Sequence, residues 1–305
     1  MTLFPVCIMI VYKIIFQKVV NIMIKVRRVI FGLVLLCLAA TAGWLYYLFE
    51  VVVTPSDDVL VLNYHQINTR DANSLTVRPG NFADELDYLT EHGYHVISLD
   101  QFIRHQNEGA ALPDKPVLIT FDDGYLDNYT DAFPLLKERK MPALIFIITD
   151  YIGTQQNYMT WEQVHEMEKN GIDFGSHTLS HAMLSRDDPK DAKFQLETSQ
   201  AVFRWQFGKN ARALAYPCGY YDDTVKKLVK DAGFEAAFTV DYGPVRPGHD
   251  MLSLQRVPIF GCLENELEHF RLRIEKVPAL CLMYDVRTRL RSIGLNSLAD
   301  YVPIP

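Results

Sequence analysis

Cysteine is scarce in this 305-residue chain and follows no pattern: there are five, with no Cys-x-x-Cys pair. Cys7 and Cys37 lie in apolar N-terminal sequence, and Cys218, Cys262 and Cys281 are scattered. This spacing excludes a disulfide framework and a cysteine zinc site. A Cys262–Cys281 bridge stays open, with free thiols the expected state. Low-complexity tracts and short-period repeats are absent, which removes solenoid and disordered classes. So is His-Glu-x-x-His, the helical zinc motif of one protease class. Positive charge is short as well. Of 30 basic and 37 acidic residues, five basic ones (Lys13, Lys18, Lys25, Arg27, Arg28) and one acid (Glu50) fall in the first 50 positions. The remainder therefore carries a formal charge of −11. Such a body does not suit nucleic acid, whose phosphates need a basic surface. It tolerates a neutral or cationic polymer.

Charge is missing altogether from Val29 to Phe49. As a helix this stretch would rise roughly 31 Å, about the thickness of a bilayer core. Lys25, Arg27 and Arg28 precede it, so the positive-inside bias leaves the N-terminus in the cytoplasm and sends residues 51–305 outward. A cleaved signal peptide is the rival, with Ala40-Thr41-Ala42 as its site, but the apolar region is long for one. The expected division is an N-terminal segment 1–28, a transmembrane signal anchor 29–49, a catalytic domain 55–260 and a helical extension 261–305. Met23-Ile24-Lys25 would make a normal start to such an anchor, and residues 1–24 otherwise read as a second, weaker membrane-embedded helix.

In the body, short apolar runs alternate with segments of helical spacing. Val59–Tyr64, Val96–Leu99, Val117–Phe121, Ala143–Ile148, Ile172–Gly175, Arg212–Tyr216, Glu235–Val240 and Leu254–Ile259 read as strands. Phe82–His92, a segment from Asp100, Leu126–Arg139, Trp161–Lys169 (N-cap Thr160), Asp191–Phe207 and Asp222–Ala232 read as helices. Alternation on this scale means a parallel sheet, open or closed. His65, Asp122-Asp123, His177 and Pro217-Cys218 each follow a strand, and a barrel gathers such ends into one pocket. The expected fold is an α/β, distorted (β/α) barrel of about seven strands, preceded by the transmembrane helix. Residues 262–305 read as a terminal helix packed on it.

Thr120-Phe121-Asp122-Asp123-Gly124 places two adjacent carboxylates at the end of an apolar strand. Ser176-His177-Thr178-Leu179-Ser180-His181 places two histidines four apart after another, able to converge on one metal if a turn of helix follows. Each motif alone is ambiguous, since Asp-Asp-Gly is usually a turn and spaced histidines are common on surfaces. Together they offer two imidazoles, one metal-binding carboxylate and one spare. A metal with three protein ligands keeps positions open for water and substrate, and the spare carboxylate can take a proton from that water.

With their surroundings, from about Val59 to Ile259, these motifs resemble the polysaccharide deacetylases with a NodB-type domain (carbohydrate esterase family 4). The resemblance implies Asp122 as catalytic base and Asp123, His177 and His181 as metal ligands. The third motif, Ala215-Tyr216-Pro217-Cys218-Gly219, departs from the family pattern. Ala215 stands where many members carry an arginine that steadies the aspartate. Arg256 is the candidate to supply that cation from another strand. The Cys218 backbone N–H would serve the oxyanion, a role independent of its side chain. No leucine-x-histidine motif occurs near the C-terminus to provide the general acid. Asn63-Tyr64-His65-Gln66 instead resembles the branch acting on biofilm poly-N-acetylglucosamine, which implies His65 as the acid for the leaving amine. Tyr125, Trp161, Tyr216 and Tyr220 are candidates for a sugar cleft or, equally, for core packing. The expected cofactor is a divalent ion, zinc first, with iron, cobalt or nickel as alternatives. The expected partners are an N-acetylated polysaccharide, the membrane, and polysaccharide synthesis or export proteins. Rival readings are a deacylase of a lipid-linked amino sugar or small amide, a non-catalytic carbohydrate-binding subunit of an export complex, and a non-haem iron oxygenase.

Overall fold

A computed structural model describes residues 4–47, 58–261 and 265–302. The chain forms two compact units, Met1–Val52 and Val53–Pro305.

The first unit is one helix, α1 (Phe4–Tyr46). Pro5 falls in its first turn, where proline is tolerated, and nothing in the following sequence breaks it. The two segments that charge placement suggested, before and after Met23, are thus continuous. Apolar side chains from Val19 to Tyr47 are exposed along it, Val29 and Leu36 among them. Among the described residues no helix is long and apolar enough to cross a membrane. The charge-free stretch runs on past Tyr47 to Phe49, outside the described residues.

The second unit follows the expected alternation. Its elements are β1 (Leu60–Tyr64), β2 (Gln66–Ile67), β3 (Thr76–Val77), α2 (Pro79–Glu91), β4 (His95–Val96), α3 (Leu99–Glu108), β5 (Pro116–Phe121), α4 (Phe133–Arg139), β6 (Ala143–Ile147), α5 (Trp161–Lys169), β7 (Ile172–Ser176), α6 (Pro189–Phe207), β8 (Ala213–Ala215), α7 (Asp223–Asp231), β9 (Ala236–Tyr242), β10 (Leu254–Pro258), α8 (Glu266–Glu275), α9 (Val277–Ser292) and α10 (Asn296–Ala299). Seven parallel strands close into a ring in the order β1, β10, β9, β8, β7, β6, β5, and β5 returns to β1. Strand β4 lies outside the ring. It pairs with the start of β5 (Val96 opposite Val117), whereas β6 pairs with its end (Phe121 opposite Ile145).

The ring separates two cores. Val61, Leu118, Leu144, Phe146, Ala213, Ala215, Phe238 and Leu254 pack together inside it with Leu99, Phe102 and Ile103 of α3. The alternate residues, such as Leu60, Leu62, Val117, Ile119, Ile145 and Ile147, face the surrounding helices. Both faces of β5 and β6 are buried along their whole length, and this is why those strands show no polar alternation. Gly175 belongs to this interior: a Cβ there would meet the Phe146 ring at 2.7 Å and the Ala213 carbonyl at 2.9 Å.

Three local readings change. Ser98 caps α3 with a reciprocal bond to Gln101, which pulls Leu99 out of the strand and into the helix. The helix expected over 126–139 is there, but its middle is a π-helical turn (Asn128–Ala132) ahead of α4, where Pro134 has no N–H and its ring crowds the carbonyl four residues back. The C-terminal extension contains α8, α9 and α10 rather than one helix. Tyr242 donates to the Arg273 carbonyl at 2.7 Å, Arg273 to the Pro258 carbonyl at 2.9 Å, and Tyr88 to Glu275, so α8 packs on the barrel as expected. Thr160 caps α5 as expected. The Cys281 thiol is free, and Cys262 lies outside the described residues.

Candidate active site

The C-terminal ends of the strands converge as the barrel reading required. At the end of β5 the Asp122 N–H donates to the Tyr64 carbonyl (3.0 Å), tying the first motif to β1. Asp123 and Gly124 then take left-handed backbone conformations, φ 73° and 82°. Gly124 has no substitute there, since a Cβ would lie 2.9 Å from Ile147. This turn sends the two neighbouring carboxylates to different partners.

Asp122 is 3% exposed and Arg256, inside the barrel, is 0% exposed. The guanidinium donates both of its terminal nitrogens to the two Asp122 oxygens, each at 2.8 Å. It is held by the Thr239 carbonyl (2.8 Å) and lies 5.7 Å from the Phe146 ring. Burial alone would raise the Asp122 carboxyl, but the Arg256 charge outweighs it and holds the group well below the usual carboxylate range. Asp122 is thus ionised and oriented. Its oxygen Oδ2 is 3.9 Å from His65 Nε2. Burial lowers the His65 pKa, opposed by Asp122 and Asp123.

Asp123 Oδ1 lies 3.4 Å from His177 Nε2 and 3.4 Å from His181 Nε2. The three ligand atoms all fall within 4.8 Å of one another. Tetrahedral zinc with bonds of about 2.0–2.2 Å spaces its ligands about 3.3–3.5 Å apart, so the set fits a divalent ion. Two further observations agree. Asp123 Oδ1 is buried with no hydrogen-bond partner. His177 Nδ1 is bonded to the Ala215 carbonyl at 2.8 Å, which fixes its tautomer and leaves Nε2 free to ligate. Burial also lowers the His177 pKa, favouring the neutral imidazole that a metal needs. The histidines meet through a non-helical turn, not the helical turn expected. Thr178 (φ 65°) and His181 (φ 64°) are left-handed, and Thr178 Oγ1 accepts from the Ala182 N–H (3.1 Å).

Cys218 is also left-handed (φ 54°) in the one-turn helix Pro217–Gly219, with an exposed thiol. Its N–H, near the start of that turn, has no intrahelical carbonyl to bond. Asp123, Thr178, His181 and Cys218 therefore concentrate backbone strain at one end of the barrel.

Of the cleft aromatics, Tyr216 is fully buried with its hydroxyl on the Leu252 carbonyl (2.9 Å), and Trp161 packs on Phe207. Tyr216 is a core residue, and Trp161 is half-buried against the core. Tyr125 stacks on Tyr158 (5.1 Å), and its phenol pKa is pushed up by burial and by Asp123. Tyr220 stacks under Arg186 (4.0 Å). Tyr125 therefore remains at the site. The sequence reading missed Asp127 and Asn128, buried just beyond the first motif in what looked like an ordinary helix.

Residues 109–237 match the family model for polysaccharide deacetylase. A poly-β-1,6-N-acetyl-D-glucosamine N-deacetylase of Staphylococcus epidermidis is 30% identical over 231 residues, covering 66% of this chain and 78% of that protein. The chain belongs to the polysaccharide deacetylase family. Among solved structures, the Streptococcus pyogenes deacetylase PplD in complex with acetate matches with a TM-score of 0.67 and 26% identity, over 72% of this chain and 99% of that one. IcaB from Ammonifex degensii matches with 0.62 and 30%, over 67% and 92%. As a polysaccharide deacetylase the protein is a hydrolase, which sets aside the oxygenase and the non-catalytic subunit.

Proposed function

We propose that this deacetylase removes N-acetyl groups from an N-acetylglucosamine polymer, with a divalent cation, at the outer face of a membrane. The observation that carries the reading is the split of the two adjacent carboxylates. Asp123 turns an unpartnered Oδ1 toward two imidazoles, while Asp122 is locked by Arg256 beside His65. A divalent cation held by Asp123, His177 and His181, zinc first among the candidates, would supply Lewis-acid polarisation of the amide carbonyl and a more acidic water. Asp122, kept ionised by Arg256, takes the proton of the attacking water. The Cys218 N–H donates to the developing oxyanion. His65 gives a proton to the nitrogen as the C–N bond breaks, releasing an amine and acetate.

The naming of the Staphylococcus epidermidis relative supports a β-1,6-linked polymer. The acidic body suits a chain that gains positive charge as acetyl groups leave. Membrane attachment is supported by the charge-free Val29–Phe49 stretch and by the exposed apolar side chains of α1, because a helix apolar on all sides is a membrane or buried helix. Synthesis or export proteins for the polymer are the natural partners.

The test is acetate release by the detergent-solubilised chain from β-1,6- and β-1,4-linked N-acetylglucosamine oligomers. Release that chelator abolishes, that added zinc restores and that Asp122→Asn lacks is the expected result. With metal bound but no release from either oligomer, the lipid-linked amino sugar would replace the polymer as substrate.

A further inference from the structure

His65 stands just outside the barrel, between the end of β1 and the short strand β2, which pairs with β3 and not with the ring. Tyr64 is the last residue of β1, and its carbonyl is taken by Asp122. The next residues are fixed from another direction. Asn128 Nδ2 donates to the His65 carbonyl at 2.8 Å. Asp127 Oδ1 accepts from the Ile67 N–H (3.2 Å) and its Oδ2 from Asn68 Nδ2 (2.6 Å). The two clamp residues are themselves joined, Asn128 Nδ2 to Asp127 Oδ1 at 3.2 Å. Asp127 is 2% exposed and Asn128 0%.

Burying a carboxylate and an amide is unfavourable unless their bonds are made. Nearly all of these bonds go to the four residues His65 to Asn68. Asn128 begins the π-helical turn and Asp127 immediately precedes it, so an uncommon geometry aims both side chains from the segment that follows Asp122. The base and the histidine are therefore coupled twice, once through Asp122 to Tyr64 and once through Asn128 to His65.

We propose that Asp127 and Asn128 are positioning residues for His65, setting its imidazole for protonation of the leaving amine. This rests on the proposed role of His65 as general acid. The clamp matters when the leaving group needs a proton. Cleaving an acetamide forms the new C–O bond from water, breaks C–N, and requires a proton on nitrogen. An aryl acetate expels a phenolate that needs none.

The test compares the metal-loaded full chain on an N-acetylglucosamine oligomer and on 4-nitrophenyl acetate. Asn128→Ala should lower kcat on the oligomer by about tenfold to a hundredfold, the scale of a misplaced catalytic group, with KM and ester turnover nearly unchanged. His65→Ala should show the same selectivity, and adding Asn128→Ala to it should cost nothing more, because both remove one function. Asp127→Asn, nearly isosteric, opposes two donors at Asn68 and should give a smaller loss of the same kind. Equal losses on both substrates, or additive losses in the double variant, would overturn the clamp. A wild type without metal-dependent oligomer turnover would instead overturn the proposed function, and a His65→Ala enzyme slowed equally on both substrates would remove His65 as the acid.

Discussion

Arg256 meets Asp122 with two parallel hydrogen bonds in a space closed to water, so removing it strands a buried carboxylate. Breaking such a pair typically costs about 3–5 kcal/mol, or the orphaned acid takes up a proton. Either outcome removes the proposed base. Arg256→Ala should lower deacetylation at least about a hundredfold, with bound metal, measured by elemental analysis, unchanged. Arg256→Lys cannot reproduce the bidentate fork and should recover only part of the rate. A normal rate in the metal-loaded alanine variant would end this role. Glu85 is the opposite case, a buried acid with no cation against it among the described residues. Burial raises its pKa from 4.5 to about 8, while the hydrogen bond from Tyr64 (2.9 Å) opposes the rise. The folded state thus holds this proton more tightly than the unfolded chain. Its stabilising contribution is intact below pH 4.5 and is lost as pH rises toward about 8. Thermal melts should show Glu85→Gln flattening the decline in Tm between about pH 5 and pH 8. An unchanged slope would mean that Glu85 is not the titrating group.

At the scale of elements, the barrel interior is built from residues two apart on each strand, and it has no slack around Phe146. Gly175→Ala would drive a methyl into that ring, which lies against Arg256. Overpacking of this kind costs about 1–3 kcal/mol. Denaturant unfolding should show that loss, and turnover should fall with it as Arg256 shifts. Turnover and stability both at wild-type level would disprove the tight fit. The central strands were legible in the sequence because burial on both faces leaves an apolar run ending in a polar residue, as at Phe121-Asp122. The start of α5 was legible because Thr160 carries its capping partner three residues on, whereas the same device at Ser98 was hidden in what read as a strand. Less visible was anything decided by backbone geometry. The left-handed turn at Thr178 replaces the helical one that spacing suggested, and the π-helical turn concealed Asn128. Arg256 was readable only through the missing arginine at Ala215, and its reach to Asp122 is a contact between distant strands that no local pattern records.

At the scale of the molecule, Val53–Pro305 holds its own core and the complete set of candidate site residues. Removal of residues 1–52 should leave a folded, metal-binding deacetylase that is recovered in the aqueous fraction, whereas the full chain sediments with membranes. A full chain that stays in the aqueous fraction would count against attachment through α1. The ring has a further consequence, for the order in which the enzyme comes into being. Strand β1 pairs with β5 on one side and with β10 on the other. It must therefore wait, one edge open, until the last barrel strand has been synthesised. That same strand brings Arg256, 134 residues after the carboxylate it orients. Closing the cylinder and arming the base are thus one late, long-range event, slow by its nature. A nascent chain short of β10 carries every candidate metal ligand and still lacks the guanidinium that pairs with Asp122, so on the proposed mechanism catalysis begins only when assembly ends.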